Sequence, residues 1–238
     1  YQAAPSYRHK TIGGYHAAKL SRYQDLIDRH LGNFTRGVPS EADFRVLSML
    51  NAKYIIGPDG NLAVNHDALG NAWFVDKVTY VDNPDAEMEA LSALSPEMEA
   101  VADKKFANAL GKNFAPKSIG DTIFETSYAP GKLTYSASSA RGGIAVFSEV
   151  YFPWGWEATI DGKPAEIGRV NYILRALAIP AGHHSIEFKF KPTSVSHTVV
   201  AAKVAVTAIY ILLFLALIFN LSRKGGKTEG KSIDKDCI

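Results

Sequence analysis

Residues Val199 to Leu221 constrain this 238-residue chain more than any other stretch. No side chain from Val204 to Phe219 is charged. With Val199–Lys203 before it and Asn220–Leu221 after it, the stretch is 23 residues long. As a helix it extends about 35 Å at ~1.5 Å per residue, against about 30 Å of bilayer hydrocarbon. A small soluble core has no use for so long a continuous apolar run. The sequence therefore predicts a transmembrane helix over 198–221. Lys203 lies near one end, where its stem can stay in lipid while its ammonium reaches outward.

Flanking charge predicts the orientation. Arg223, Lys224, Lys227, Lys231 and Lys235 follow the span, and only Lys189 and Lys191 precede it within a similar distance. Positive charge is retained inside, so the basic tail 222–238 is expected in the cytoplasm and everything before Val199 outside. The tail also carries the whole surplus charge. Residues 1–221 hold 21 basic and 21 acidic side chains, while the chain as a whole stands at +2. A neutral outer region lacks the concentrated basic face that nucleic acid requires. The single cysteine, Cys237, excludes an internal disulfide framework and a Cys-based zinc site. An exported N-terminal region needs a leader, yet the chain opens Tyr1-Gln-Ala-Ala-Pro5 without an initiating Met, a basic start or an apolar core. The expectation is a C-terminal piece of a longer membrane protein. The alternative is a tail-anchored protein with residues 1–190 in the cytosol.

The outer region divides by pattern. Over 1–115 it is mixed α and β. Leu20, Tyr23, Ile27 and Leu31 recur at helical spacing, predicting a helix over Tyr15–Leu31 that Gly32 ends. Ser40, with Asp43 three residues on, predicts a capped second helix buried through Phe44, Leu47 and Leu50. Lys53–Ile56 and Ala72–Val81 read as strands. Asn83-Pro84 and Ser95-Pro96 each read as a helix start. From Ser118 the pattern changes to strands: Thr122–Ala129, Leu133–Ser138, Gly143–Val150, Trp156–Ile160, Lys163–Ile167, Leu174–Ile179 and Ser185–Phe190. Asp161-Gly162 is a strong two-residue hairpin signal. Seven short strands at this spacing predict an antiparallel β-sandwich over 118–191, so the fold class is α+β with a C-terminal sandwich and one transmembrane helix.

Several of these stretches resemble the YfhO-type family of bacterial membrane proteins, described as C-type glycosyltransferases. The matching residues are Ser6-Tyr-Arg-His-Lys-Thr-Ile-Gly-Gly-Tyr-His-Ala-Ala-Lys19 with Tyr23–Asp28, Asn71-Ala-Trp-Phe-Val75, Trp156-Glu-Ala-Thr-Ile-Asp-Gly162, Asn171-Tyr-Ile-Leu-Arg175, Pro180-Ala-Gly-His183 and the terminal helix. The resemblance covers roughly 5–221. In one departure, Trp154 separates Pro153 from Gly155 where the family pattern has Pro-Gly-Trp. The resemblance implies a multi-spanning enzyme that takes a sugar from a polyprenyl-phosphate carrier on the outer face and passes it to a cell-surface glycan acceptor. The catalytic carboxylate it implies lies in an early outer loop, so none is carried over to this chain.

Two clusters stand out as candidate contacts for donor or glycan. The first comprises Tyr7, His9, Lys10, Tyr15, His16 and Lys19 around Gly13-Gly14, cations and histidines suited to a lipid-linked phosphate. The second is Tyr151-Phe-Pro-Trp-Gly-Trp156, whose Trp154 and Trp156 can stack on sugar rings, settle at a membrane interface, or simply pack. His183 and His184 follow a Gly turn and precede a strand, where adjacent side chains point to opposite faces, so the two do not readily share one metal. With no His-x-x-x-His, no DxD pair and no phosphate-binding glycine loop, neither metal nor cofactor is expected. A glycan-binding or scaffold module of a cell-envelope complex, without catalysis, is the rival to the transferase reading.

Overall fold

The computed structural model describes residues 9–13, 19–57, 59–111 and 114–225. It is mixed α+β, with antiparallel sheets and one long C-terminal helix. The chain forms two compact units, Tyr1–Phe190 and Lys191–Ile238.

Helix α1 (Ser21–Leu26) runs through a π turn (Ile27–Leu31) into α2 (Gly32–Arg36). Gly32 does not end the helix, because its φ of −63° is helical; Gly37, at φ 75°, does. The extra residue in the π turn leaves His30 buried, its Nδ1 donating to Asp43 Oδ1 at 2.8 Å. Helix α3 (Glu41–Met49) carries the expected capping box: Ser40 Oγ accepts from the Asp43 N–H, and Asp43 Oδ2 accepts from the Ser40 N–H at 2.8 Å. Its buried face is Asp43, Val46, Leu47 and Leu50, at i, i+3, i+4 and i+7. Phe44 lies off that row; it stays 44 % exposed and meets Phe34 edge to face at 5.0 Å.

Strands β1 (Tyr54–Ile56) and β2 (Leu62–Val64) form an antiparallel hairpin. The single strand expected over Ala72–Val81 is two, β3 (Ala72–Val75) and β4 (Lys77–Val81). Asp76 breaks it: its N–H donates to Met98 O at 2.7 Å and its Oδ1 accepts from the Lys117 N–H at 2.8 Å. Helix α4 (Pro84–Ala90) begins as expected, with Asn83 Oδ1 accepting from the Ala86 N–H at 2.9 Å. No helix follows Ser95-Pro96. The Ser95 carbonyl accepts from the Met98 and Glu99 N–H groups, closing one turn, and the chain enters β5 (Glu99–Asp103). Strand β5 pairs parallel with β4. A 3₁₀ turn and α5 (Ala107–Leu110) follow.

The remaining strands are β6 (Thr122–Ala129), β7 (Lys132–Ser139), β8 (Gly143–Val150), β9 (Trp156–Ile160), β10 (Lys163–Ala165), β11 (Gly168–Val170), β12 (Leu174–Ile179) and β13 (Gly182–Phe190). They form two antiparallel sheets, ordered β10-β9-β13-β7-β6 and β11-β12-β8-β3. Strand β3 comes from before the boundary expected near 115, yet it completes the second sheet by pairing with β8. Inward rows of both sheets meet in one apolar cluster, where the Phe147 ring contacts Tyr135 and Phe188 edge to face, each at 4.9 Å. The opposite face of the four-stranded sheet, through Val75, Ile144, Val146 and Leu174, packs with Leu26, Val46, Met49 and Met88 of the helices and Val101 of β5. Burial on both faces explains why β8 and β12 read as nearly unbroken apolar runs.

A buried ion pair ties the helical layer to this sheet. Glu87 of α4 accepts from Arg169 Nη2 at 2.7 Å and from the Tyr172 N–H at 3.1 Å, with Arg22 Nη1 at 3.6 Å. Burial holds the Glu87 carboxyl above its usual range even though Arg169 pulls the other way.

In the second unit, α6 (Thr193–Gly225) is 33 residues long, and its stretch Thr193–Ser222 is long and apolar enough to cross a membrane. The expected span 198–221 lies wholly within it. The tail from 226 onward lies outside the described residues.

Candidate functional site

The aromatic run that the sequence singles out bridges two sheets. Strand β8 ends at Val150, and the Tyr151 N–H donates to Ile173 O at 2.7 Å. The chain then loops through Phe152, Pro153 and Trp154, turns at Gly155 with φ 92°, and enters β9 at Trp156. Strand β9 folds back as β10 through Asp161-Gly162, whose φ values of 50° and 77° are those of a tight hairpin turn. Asp161 also locks the hairpin to β13: its Oδ1 accepts from the Ser185 N–H at 2.8 Å, and its Oδ2 accepts from His184 Nδ1 at 2.6 Å. His184 Nε2 faces the Ala181 carbonyl at 3.2 Å, so both ring nitrogens face acceptors. The hydrogen bond to Asp161 accordingly raises the His184 pKa and lowers that of Asp161.

Between the aromatic loop and this hairpin lies a cleft of about 570 Å³. Its walls include Tyr151, Phe152 and Trp156, with Glu157, Thr159 and Glu166 supplying polar atoms. That size and mixture, apolar faces with a few oriented polar groups, suits a small hydroxyl-bearing ligand. Burial, the largest influence on the Tyr151 hydroxyl, raises its pKa.

Trp156 is held from behind. The guanidinium of Arg175 lies 4.0 Å from its ring centroid, and Phe190 packs at 5.3 Å. Arg175 is only 3 % exposed; its Nε donates to Val150 O at 3.1 Å, and burial lowers its pKa. Around it lies a titratable cluster from four strands and the N-terminal segment. Burial raises the Glu149 carboxyl against the pull of Arg175 and Lys10. Tyr135, 1 % exposed, is likewise raised by burial, and its hydroxyl and Arg175 Nη1 have no hydrogen-bond partner among the described residues. Glu125 accepts from Asn71 Nδ2 at 2.8 Å, and Lys10 Nζ sits 3.3 Å over the Tyr128 ring.

Of the six residues expected to contact donor or glycan, Trp156 lines the cleft. Trp154 stands beside it, edge to face with Phe152 at 5.2 Å. Neither exposed His9 nor half-buried Lys19 lines it. Tyr15 and His16 lie outside the described residues. Sequence reasoning passed over Arg175, Glu149 and Glu125, although a signal was available. Each falls on the inward row of its strand, in step with Leu177, Phe147 and Ile123. A charged residue on an apolar row is the informative exception. Among the described residues no group of His, Cys, Asp or Glu side chains is arranged to hold a metal ion. Compared with family models, curated proteins and solved structures, the chain matches none.

Proposed function

We propose that this chain is the extracytoplasmic C-terminal portion of a polyprenyl-phosphate-sugar-dependent membrane glycosyltransferase of the YfhO type, and that its own task is to hold a glycan beside Trp156. The two antiparallel sheets are read as the faces of one β-sandwich. Helix α6 anchors it in the bacterial cytoplasmic membrane, with the basic tail inside. The polyprenyl-phosphate donor and the surface acceptor are partners of the whole enzyme, and the sugar chemistry is assigned to residues beyond this chain.

The observation that carries the glycan role is the aromatic cleft with Trp156 as one wall, its ring backed by a buried guanidinium. The cation fixes the indole, and the ring so held contributes an aromatic surface to the cleft. The carboxylates of Glu157 and Glu166 add acceptors for sugar hydroxyls. The second reading is a glycan-binding or scaffold module of a cell-envelope complex without transfer chemistry, to which the same aromatic and carboxylate lining of the cleft lends support.

The test uses the full chain in lipid nanodiscs, titrated with oligosaccharides while tryptophan emission is followed. Saturable change that disappears in Trp156→Ala and survives in Trp73→Phe supports the glycan role. A flat response across neutral, amino and acidic oligosaccharides rejects it. Saturation with no effect of donor lipid in the nanodisc selects the module over the transferase accessory. Protease digestion of residues 1–190 from the outer face of spheroplasts tests the orientation; protection there reverses it.

A further inference from the structure

Trp154 is 69 % exposed, an unusual position for the largest apolar side chain. It does not stand alone. Its ring packs on Phe152, Phe152 lies 6.4 Å from Phe190, and Phe190 lies 5.3 Å from Trp156. Phe190 is itself 39 % exposed and ends β13, pinned by its N–H donating to Gly131 O at 2.8 Å. The exposed aromatic patch therefore terminates on the last residue of the first unit.

Covalent reach then limits where that patch can be. Only Lys191 and Pro192 separate Phe190 from Thr193, where α6 begins. Three residues extend about 11 Å at most. Within α6 the polar turn Thr193–Thr198 precedes Val199, and six residues rise about 9 Å along a helix. The headgroup layer on one side is about 5–8 Å thick. With Val199 at the edge of the hydrocarbon, Phe190 can be no more than about 20 Å from that edge, within reach of the headgroups. Tryptophan settles at this depth because its ring is apolar and its N–H remains hydrated.

We propose that Trp154, together with Phe152, is an interfacial anchor that seats the first unit on the lipid headgroups. The occupant of the patch is the lipid–water interface of the bilayer that α6 enters. The proposal rests on α6 being a span and is independent of the glycan role. Phe152 belongs to both the patch and the cleft wall. Seating the patch therefore brings the cleft to headgroup level, where a lipid-linked ligand presents its polar end.

The experiment places the full chain in phosphatidylcholine vesicles whose acyl chains carry bromine, with unbrominated vesicles as reference. All three tryptophans, Trp73, Trp154 and Trp156, precede α6, so bromine quenching reports the first unit alone. The wild type should lose about a third of its emission in brominated vesicles, as for one interfacial tryptophan in three, and Trp154→Ala should lose almost none. A chain retaining Trp154 alone, through Trp73→Phe and Trp156→Phe, should be quenched by bromine and shielded from aqueous iodide. Iodide-accessible, bromine-insensitive Trp154 emission overturns the proposal, as does bromine quenching that persists in Trp154→Ala. Alkaline flotation separates the two premises. A chain that floats without bromine quenching loses only the anchor, and one that fails to float loses the span and the anchor together.

Discussion

Removing Glu87 alone should destabilise the first unit more than removing it together with Arg169. Glu87 is 0 % exposed, and Arg169 is nearly as buried, its guanidinium resting 5.1 Å from the Phe106 ring. Unit charges about 4 Å apart attract by about 4 kcal/mol at an effective dielectric near 20. Desolvating two ions costs several kcal/mol each, so the pair as a whole contributes little net stability. Glu87→Leu leaves a guanidinium that cannot shed its proton, with its Nε already lacking a partner among the described residues. The expected loss is about 3–5 kcal/mol. Arg169→Met should cost less at neutral pH, because Glu87, whose pKa is already raised by burial, can take a proton and, as a neutral acid, still accept from the Tyr172 N–H. Its cost should grow as pH rises and the carboxylate, left with Arg22 at 3.6 Å as its cation, is forced to ionise. The double variant Glu87→Leu/Arg169→Met should recover most of the loss of the first single. Urea unfolding of the full chain in detergent, followed by tryptophan emission, reads this directly. With a slope of about 2 kcal/mol per molar urea, a 4 kcal/mol loss moves the midpoint by about 2 M. Additive single effects, with coupling under about 0.5 kcal/mol, would refute the reasoning.

Other outcomes follow from the hydrogen-bond geometry. The His184–Asp161 contact raises the histidine and lowers the aspartate, so its stabilisation is full only while both are charged. The histidine share is complete below about pH 6.5 and fades as pH rises through the raised folded value; the aspartate share is complete above about pH 4 and fades as pH falls. The melting advantage of wild type over His184→Gln should therefore peak between those limits, and a pH-independent advantage would contradict it. Ser40→Ala should cost about 1 kcal/mol as a lost cap, whereas Asp43→Ala should cost more, since its buried carboxylate also accepts from His30 and Asn33. Those hydrogen bonds outweigh burial and hold Asp43 below its usual range, so that contribution should vanish in acid. Thermal melts of both variants across pH check the ranking.

What the sequence revealed and hid follows the range of each interaction. The long apolar helix, the Ser40 and Asn83 caps, and the Asp161-Gly162 hairpin depend on residues a few positions apart, and each was legible. Strands β6, β8, β9 and β12 were readable to the residue, because turn residues bracket each apolar run. The break at Asp76 was not, since its partners are Met98 and Lys117, 22 and 41 positions away. The helix expected after Ser95-Pro96 failed because the chain is recruited into a parallel pair with β4, a tertiary demand that overrides a local start signal. Strand β11 was missed for its shortness, and the turn before Gly32 because a π bulge has no local signature. At the site, aromatic content pointed to Trp156, while Arg175 was hidden inside a strand that otherwise reads as plain core.

The pairing of β3 with β8 sets a rule for dissecting the molecule. A recombinant piece starting after residue 115 forfeits the outermost member of the four-stranded sheet. It would present the row Ile144–Phe147 with open amide and carbonyl groups, an edge that invites self-association. Soluble truncations should therefore retain the chain from before Asn71, and split halves are expected to regain solubility only when co-expressed.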